Sequence, residues 1–426
     1  SLFFGFFMYM VLGWIFLSLP FSQKIPTDFI DTLFTSTSAL STTGLATVST
    51  FDNYTFFGQF IILTLIQIGG IGYMTLTTYI LLSTTKQITH WHKKILYNEF
   101  TMPKEFKIQD FLKSVIVFTF TVEIIGAILF YFAFRPIHSD TFFTIWTSVF
   151  HSVSSFCTAG FGLYNTSFEA YATNTFLNGI VLFLTISGGL GFIVVTDIWY
   201  YFSKKSNSIS FTTKMITLSF FGVLLIATAI TFFGESTIQH YPVFERLEIA
   251  TFQTVNAIST AGYNSIPLSN LTLGVLLTII FLMYIGAAPS STGGGMKITT
   301  LTAVIAIVKS KVRNQAKVTY LGKKIPADRL EMAVSTFIFY TAILFFSVFL
   351  LSFTENQSLE KLLFEATSAI GTVGLSMGIT GSLSVWGKII LISIMFIGRV
   401  GVITFGLAIL AKKQHKKIDN ETDLAV

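Results

Sequence analysis

The sequence predicts an all-α polytopic membrane protein assembled from four tandem span–pore-helix–span units. Three observations carry that prediction. Of its 426 residues, 52% are hydrophobic and 11% charged, with a mean hydropathy of +0.71, whereas soluble domains carry roughly 25% charged residues. A phenylalanine is followed ten residues later by a glycine four times: Phe34 to Gly44, Phe150 to Gly160, Phe252 to Gly262 and Phe364 to Gly374. Glycine-rich runs then follow those glycines at matched distances.

Eight stretches are apolar over about 18 residues or more, the length that crosses a hydrocarbon core: 2–19, 57–83, 113–134, 176–202, 214–233, 272–309 (the one interrupted span), 333–353 and 387–411. The first lacks the basic flank and small-residue cleavage site of a removable signal peptide, and native residues are expected before Ser1. The chain divides into units 1–85, 113–203, 214–311 and 332–412, with a tail at 413–426, and all four are expected to form a single transmembrane pore domain.

Charge sets the expected orientation. Segments 84–113, 203–214, 309–331 and 412–417 hold 20 of the 27 Lys and Arg. The opposite face holds Lys24, Arg135, Arg246, Lys361 and Lys388 against eleven acids from Asp28 to Glu365. The positive-inside rule then puts both termini in the cytoplasm. The net charge of +6 marks topology rather than nucleic-acid binding, and the acidic outer face concentrates cations. The single cysteine, Cys157, excludes an intrachain disulfide framework.

Between the spans of each unit lies a segment too short and too polar to cross, such as 143–157 or 359–371. It fits a half-helix that enters the membrane and turns back, which is tolerated only where protein buries it or water lines it. Each half-helix ends in a similar turn: Thr42-Thr43-Gly44, Thr158-Ala159-Gly160, Thr260-Ala261-Gly262 and Thr372-Val373-Gly374. The glycines are spaced 116, 102 and 112 residues apart. A desolvated cation needs a ring of oxygen ligands. Glycine admits the backbone conformations that turn carbonyls inward, threonine adds a hydroxyl, and the helix C-terminus adds partial negative charge. Thr372-Val373-Gly374 repeats the first three letters of the potassium-channel filter. A lone T-x-G carries almost no information. Four copies in register predict one pseudo-fourfold, potassium-channel-like pore, and no cofactor is expected.

In the second spans, Ile68-Gly69-Gly70-Ile71-Gly72, Ser187-Gly188-Gly189-Leu190-Gly191 and Ile397-Gly398-Arg399-Val400-Gly401 have their first glycine 25, 28 and 24 residues after the turn glycine. Close packing by small residues is the plain reading of any one run; recurrence adds that these helices share an axis. The third unit departs from the pattern. It reads Gly286, Ala287, Ala288, Pro289, Ser290, Ser291, Thr292, Gly293, Gly294, Gly295, Met296, and its proline and glycines break the helix ladder. A kink or a transporter's substrate-site break is the rival to a gate below the turns. Arg399 occupies the place of Gly70 and Gly189, and an intramembrane arginine, at roughly 2.5–3.5 kcal/mol on insertion scales, is a functional candidate. It is read as a barrier and loop anchor, with a salt bridge to Glu123 as its structural alternative. Glu365 is either a cation attractor at the mouth or a packing residue, and it has no like counterpart in the other units. Lys297 and Asp197 are expected to snorkel or to face the inner vestibule.

These residues resemble the Ktr/Trk/HKT superfamily of potassium transporters, and within it the membrane subunits of bacterial Ktr systems, over essentially the whole chain. Trk-type members carry two further N-terminal spans that are not among the eight read here. The resemblance implies that the four glycines form a potassium filter and that segment 286–296 with Arg399 forms the gate. It also implies a homodimer in the bacterial plasma membrane, sodium-dependent uptake, and a cytosolic ring of KtrA-like subunits that bind ATP, ADP or NAD. An alternating-access transporter of another solute is the main alternative, and would show inverted repeats and paired broken helices. An enzyme is disfavoured, because His90 and His92 have no third ligand or carboxylate cluster beside them.

Overall fold

The computed structural model describes residues 2–72, 108–402 and 405. The ends of the spans expected at 57–83 and 387–411, the segment with His90 and His92, and the tail 413–426 lie outside the described residues.

The order long helix, short helix, second long helix recurs four times. The first unit has α1 (Leu2–Leu17), α2 (Phe29–Leu40) and α3 (Phe56–Ile71). The second has α4 (Ile108–Phe134), α5 (Thr141–Phe156), α6 (Thr175–Gly189) and α7 (Phe192–Phe202). The third has α8 (Phe211–Gly234), α9 (Val243–Ile258), α10 (Leu273–Ile285) and α11 (Ile298–Val312), and the fourth has α12 (Ala327–Thr354), α13 (Leu359–Gly371) and α14 (Val385–Val400). Among the described residues the β structure is one small antiparallel pair, Thr319–Tyr320 with Lys323–Lys324, and the isolated bridge Gln23–Tyr54.

Polar side chains start three of the second helices. Thr55 accepts from the Gly58 amide at 3.3 Å, Asn174 from Leu177 at 3.1 Å and Ser384 from Gly387 at 3.1 Å, each satisfying an orphan donor of the first turn. In the last two units an acid at the end of the first helix, buried Glu235 and half-buried Glu355, reaches across to the second. Glu235 accepts from the Thr272 amide at 2.9 Å, and Glu355 accepts from the Ser384 amide at 3.1 Å. Asp31 pairs with Lys388 at 2.6 Å, joining units one and four. Three of the acids counted on the outer face therefore clip helices together.

The second helices stop early. Expected spans 57–83, 176–202 and 387–411 end or bend at Gly72 (φ 85°), Gly191 (φ 87°) and Gly401 (φ 91°), and α10 ends at Gly286 (φ 67°). The α6–α7 pair bends by 92°. The sixth span is thus not the only broken one: the last glycine of each run, or Gly286 in its place, takes a left-handed backbone that L side chains disfavour. The sixteen residues of α3 or α14 rise only about 24 Å, short of a hydrocarbon core of about 30 Å.

Each second helix packs on the short helix of its own unit and on that of the next: α3 on α5, α6 on α9, α10 on α13, and α14 back on α2. The glycine runs permit this. A Cβ on Gly69, Gly188 or Gly398 would strike the carbonyl oxygen of Leu40, Phe156 or Ile370, which end the three short helices. Close backbone approach between helices is what small residues allow in membranes. The motif phenylalanines Phe34, Phe150, Phe252 and Phe364 are all fully buried, while Phe132, Leu225, Phe233 and Phe345 are exposed on the outer helices.

Candidate functional site

The four short helices end alike. The amides of Thr43, Ala159, Ala261 and Val373 each donate to the carbonyl five residues back, on Ser38, Ser154, Asn256 and Ser368, at 2.8–2.9 Å. The preceding threonines are all left-handed: Thr42 (φ 53°), Thr158 (51°), Thr260 (58°) and Thr372 (52°). The glycines are also at positive φ: Gly44 (93°), Gly160 (68°), Gly262 (75°) and Gly374 (95°). The residue between them is not. Left-handed threonine is uncommon and strained, so four copies imply a backbone shape imposed for a purpose.

The turns meet in a closed ring. A Cβ on Gly44 would strike the carbonyl oxygen of Ala159, one on Gly160 that of Ala261, one on Gly262 that of Val373, and one on Gly374 that of Thr43. On one side all four glycines line a cavity of about 500 Å³ whose walls include Asn165, Glu169, Asn264 and Ser376. Behind that rim the His138 ring nitrogen lies 2.8 Å from the Tyr164 hydroxyl. Burial holds its imidazole below the ordinary value.

On the other side the interrupted segment 286–296 reaches every threonine of the ring. The Thr42 hydroxyl lies 3.3 Å from the Thr292 carbonyl and the Thr158 hydroxyl 3.0 Å from that of Thr292. The Gly294 amide donates to the Thr372 hydroxyl at 2.8 Å. Gly293 abuts the Thr260 hydroxyl so closely that a Cβ would strike it. The segment is tied to the second unit by the amides of Ala288 and Thr292, which donate to Gly189 and Gly188 carbonyls at 3.1 and 3.2 Å. Ser290 (φ 58°) and Gly295 (φ 70°) supply its reversals.

Arg399 joins this assembly. Its guanidinium donates to the Thr42 hydroxyl at 3.1 Å and to the carbonyls of Thr292 and Gly69. Glu123, offered as its salt-bridge alternative, instead accepts from Gln67 at 3.2 Å and from the Cys157 thiol at 3.7 Å. Lys297 does not snorkel. Its Nζ donates to the carbonyls of Gly293 (2.6 Å) and Gly294 (3.0 Å). Asp197, also buried, accepts from the Ser210 amide at 2.8 Å and caps the approach to α8.

Glu365 does belong to the repeat, in role if not in residue type. It accepts from the Met377 amide at 3.0 Å, as Gln253 does from Ser265 (2.8 Å) and His151 from Leu163 (3.3 Å), each twelve residues on. In three of the four units the side chain after the motif phenylalanine thus pins the segment leaving the turn, whereas Thr35 of the first unit donates to the Asp31 carbonyl of its own helix. A polar residue directly after the phenylalanine in all four units, Thr35, His151, Gln253 and Glu365, was the available signal. Glu365 also accepts from Ser376 (2.5 Å) and Thr380 (2.9 Å). Glu365→Leu is expected to destabilise the protein by about 2–4 kcal/mol, since each buried group left unpaired costs about 1–3 kcal/mol. Thermal unfolding in detergent, followed by tryptophan fluorescence, should read this as a markedly lower Tm.

Comparison with known proteins places this arrangement. A family model described as a cation transport protein, TrkH, matches residues 11–419. The chain is 32% identical over 418 residues to the Ktr system potassium uptake protein B of Bacillus subtilis, covering 97% of this chain and 93% of that protein. It is 35% identical over 418 residues to the potassium/sodium uptake protein NtpJ of Enterococcus hirae, covering 96% and 92%. The crystal structure of the potassium transporter TrkH from Vibrio parahaemolyticus superposes with a TM-score of 0.72 at 20% identity, over 95% of this chain and 84% of that one. The family is one of transporters rather than enzymes, and with its apolar helices the chain is a multi-pass membrane protein. This chain therefore belongs to the TrkH family of cation transport proteins.

Proposed function

We propose that this protein takes up potassium through one pseudo-fourfold pore, selected by the four glycine turns and closed by the segment Gly286–Met296 with Arg399. The observation that carries the reading is the closed cycle of Gly44, Gly160, Gly262 and Gly374, with its open cavity on one side and a loop touching all four threonines on the other. In this reading the alternation of positive and negative φ along each turn turns successive carbonyls toward one axis, where they replace the hydration shell of a cation. Potassium appears in the names of both relatives, Ktr protein B and NtpJ, with sodium beside it in the second, and glycine stands in all four turns.

In this reading potassium is the only metal the pore binds, and no cofactor is needed. The chain works as a homodimer with one pore per subunit in the bacterial plasma membrane, with both termini cytoplasmic, in keeping with the clustering of Lys and Arg. Uptake is sodium-dependent and is controlled by a cytosolic ring of KtrA-like nucleotide-binding subunits docked on the basic inner segments. Parallel repeats and a shared ring favour this pore over the alternating-access alternative. The bend at Gly191 does not favour that alternative, because the second helix of every unit ends or bends at a positive-φ glycine.

Rubidium-86 uptake into cells lacking their own potassium importers tests the proposal. Saturable uptake that unlabelled potassium competes away is the expected result. Failure to support growth on limiting potassium, with a cytosolic partner co-expressed, would overturn it.

A further inference from the structure

Three consecutive carbonyls directly beneath the threonine ring are all held by side-chain cations. Thr292 is held by Arg399, and Gly293 and Gly294 are held by the Lys297 ammonium at 2.6 and 3.0 Å. Carbonyls gathered on one side of a tight loop form a site for a monovalent cation, for the same reason that filter carbonyls do: each points a partial negative charge at the same volume. Here the volume between Gly293 and Gly294 is filled by an ammonium, which is a compact, strongly hydrated point charge on a flexible stem. Lys297 lies at the N-cap of α11, where a cation faces the unfavourable end of the helix dipole. Its placement there is explained by the two carbonyls it meets.

We propose that Lys297 is a tethered cation occupying a monovalent-cation site made by the Gly293 and Gly294 carbonyls, and that its charge latches the loop shut. The inference rests on the gate reading above and extends it to a residue outside the loop and outside Arg399. Without a cation at those carbonyls, their mutual repulsion opposes the closed loop. Opening therefore requires the ammonium to leave, or to be exchanged for a permeating cation. Lys297 is a positioning residue in this scheme: it acts on the path through the backbone it holds.

The test uses the full chain in proteoliposomes without regulatory subunits, with rubidium-86 as the probe. Lys297→Met and Lys297→Gln are both expected to raise basal uptake at least fivefold, and Lys297→Arg to restore the low rate. The potassium-over-sodium ratio should be unchanged in Lys297→Met, because the turns are held by their own short helices. Uptake by Lys297→Gln at the parental rate would assign the effect to hydrogen bonding rather than charge and overturn the proposal. So would parental uptake by Lys297→Met, or a loss of selectivity in it. Deletion of 289–295 serves as the control: if that also leaves uptake unchanged, the gate reading itself has failed, whereas a leaky deletion beside a tight Lys297→Met refutes the latch alone.

Discussion

Gly262→Ser is expected to reduce the potassium-over-sodium ratio of uptake about tenfold while leaving the protein in the membrane. Gly262 sits at φ 75°, and a non-glycine residue there costs roughly 1–2 kcal/mol. Its new Cβ would also strike the Val373 carbonyl oxygen of the neighbouring turn. The strain is relieved by displacing that carbonyl, one of the oxygens proposed to face the ion. A displaced ligand weakens the fit to potassium more than the fit to a smaller, more strongly hydrated competitor, and about 1.4 kcal/mol of lost discrimination is tenfold. Competition of sodium against rubidium-86 uptake measures the ratio. An unchanged ratio would remove Gly262 from the filter and, with it, the inference drawn from the fourfold turn.

Deleting residues 289–295 is expected to raise basal potassium flux by at least about tenfold. The segment is held by the Arg399 guanidinium, by Lys297, by the Thr42, Thr158 and Thr372 hydroxyls and by the Gly188 carbonyl. Bonds to charged groups are worth about 1.5–3 kcal/mol each, so even one of them accounts for a tenfold bias toward the closed position. The deletion is geometrically mild, because the flanks already touch: the Ile298 amide donates to the Ala287 carbonyl at 3.3 Å, and Gly286 abuts Met296. Stopped-flow thallium flux into vesicles containing the deletion would check it. Flux equal to that of the parent would mean that the segment does not close the path.

Much of this site was legible in the sequence because its signals are local. The four turn motifs, the broken third-unit segment and Arg399 each stand out within a dozen residues, and the structure brings them together within hydrogen-bonding distance. The role of Glu365 was harder to read. Its counterparts Gln253 and His151 share no charge, only a hydrogen-bonding atom at the same register. Lys297 read as an ordinary residue at the inner end of a span, since nothing local shows that two carbonyls converge on it. The breaks at Gly72, Gly191 and Gly401 were hidden because a glycine inside an apolar run is as compatible with close helix packing as with a left-handed stop.

Composition and repetition by themselves determined that the chain lives in a membrane, that it has four related parts, and that each part carries a glycine turn able to present carbonyls. These follow from hydropathy and from the backbone freedom of single residues, which do not depend on the rest of the fold. Only the tertiary structure decided that the four turns close on one another, that the loop lies against every threonine, and that Arg399 spends its donors on Thr42, Thr292 and Gly69. Those contacts join residues as far as 357 positions apart. They exist because the second helix of each unit packs on the short helix of the next and the fourth returns to the first, a relation that no local propensity encodes.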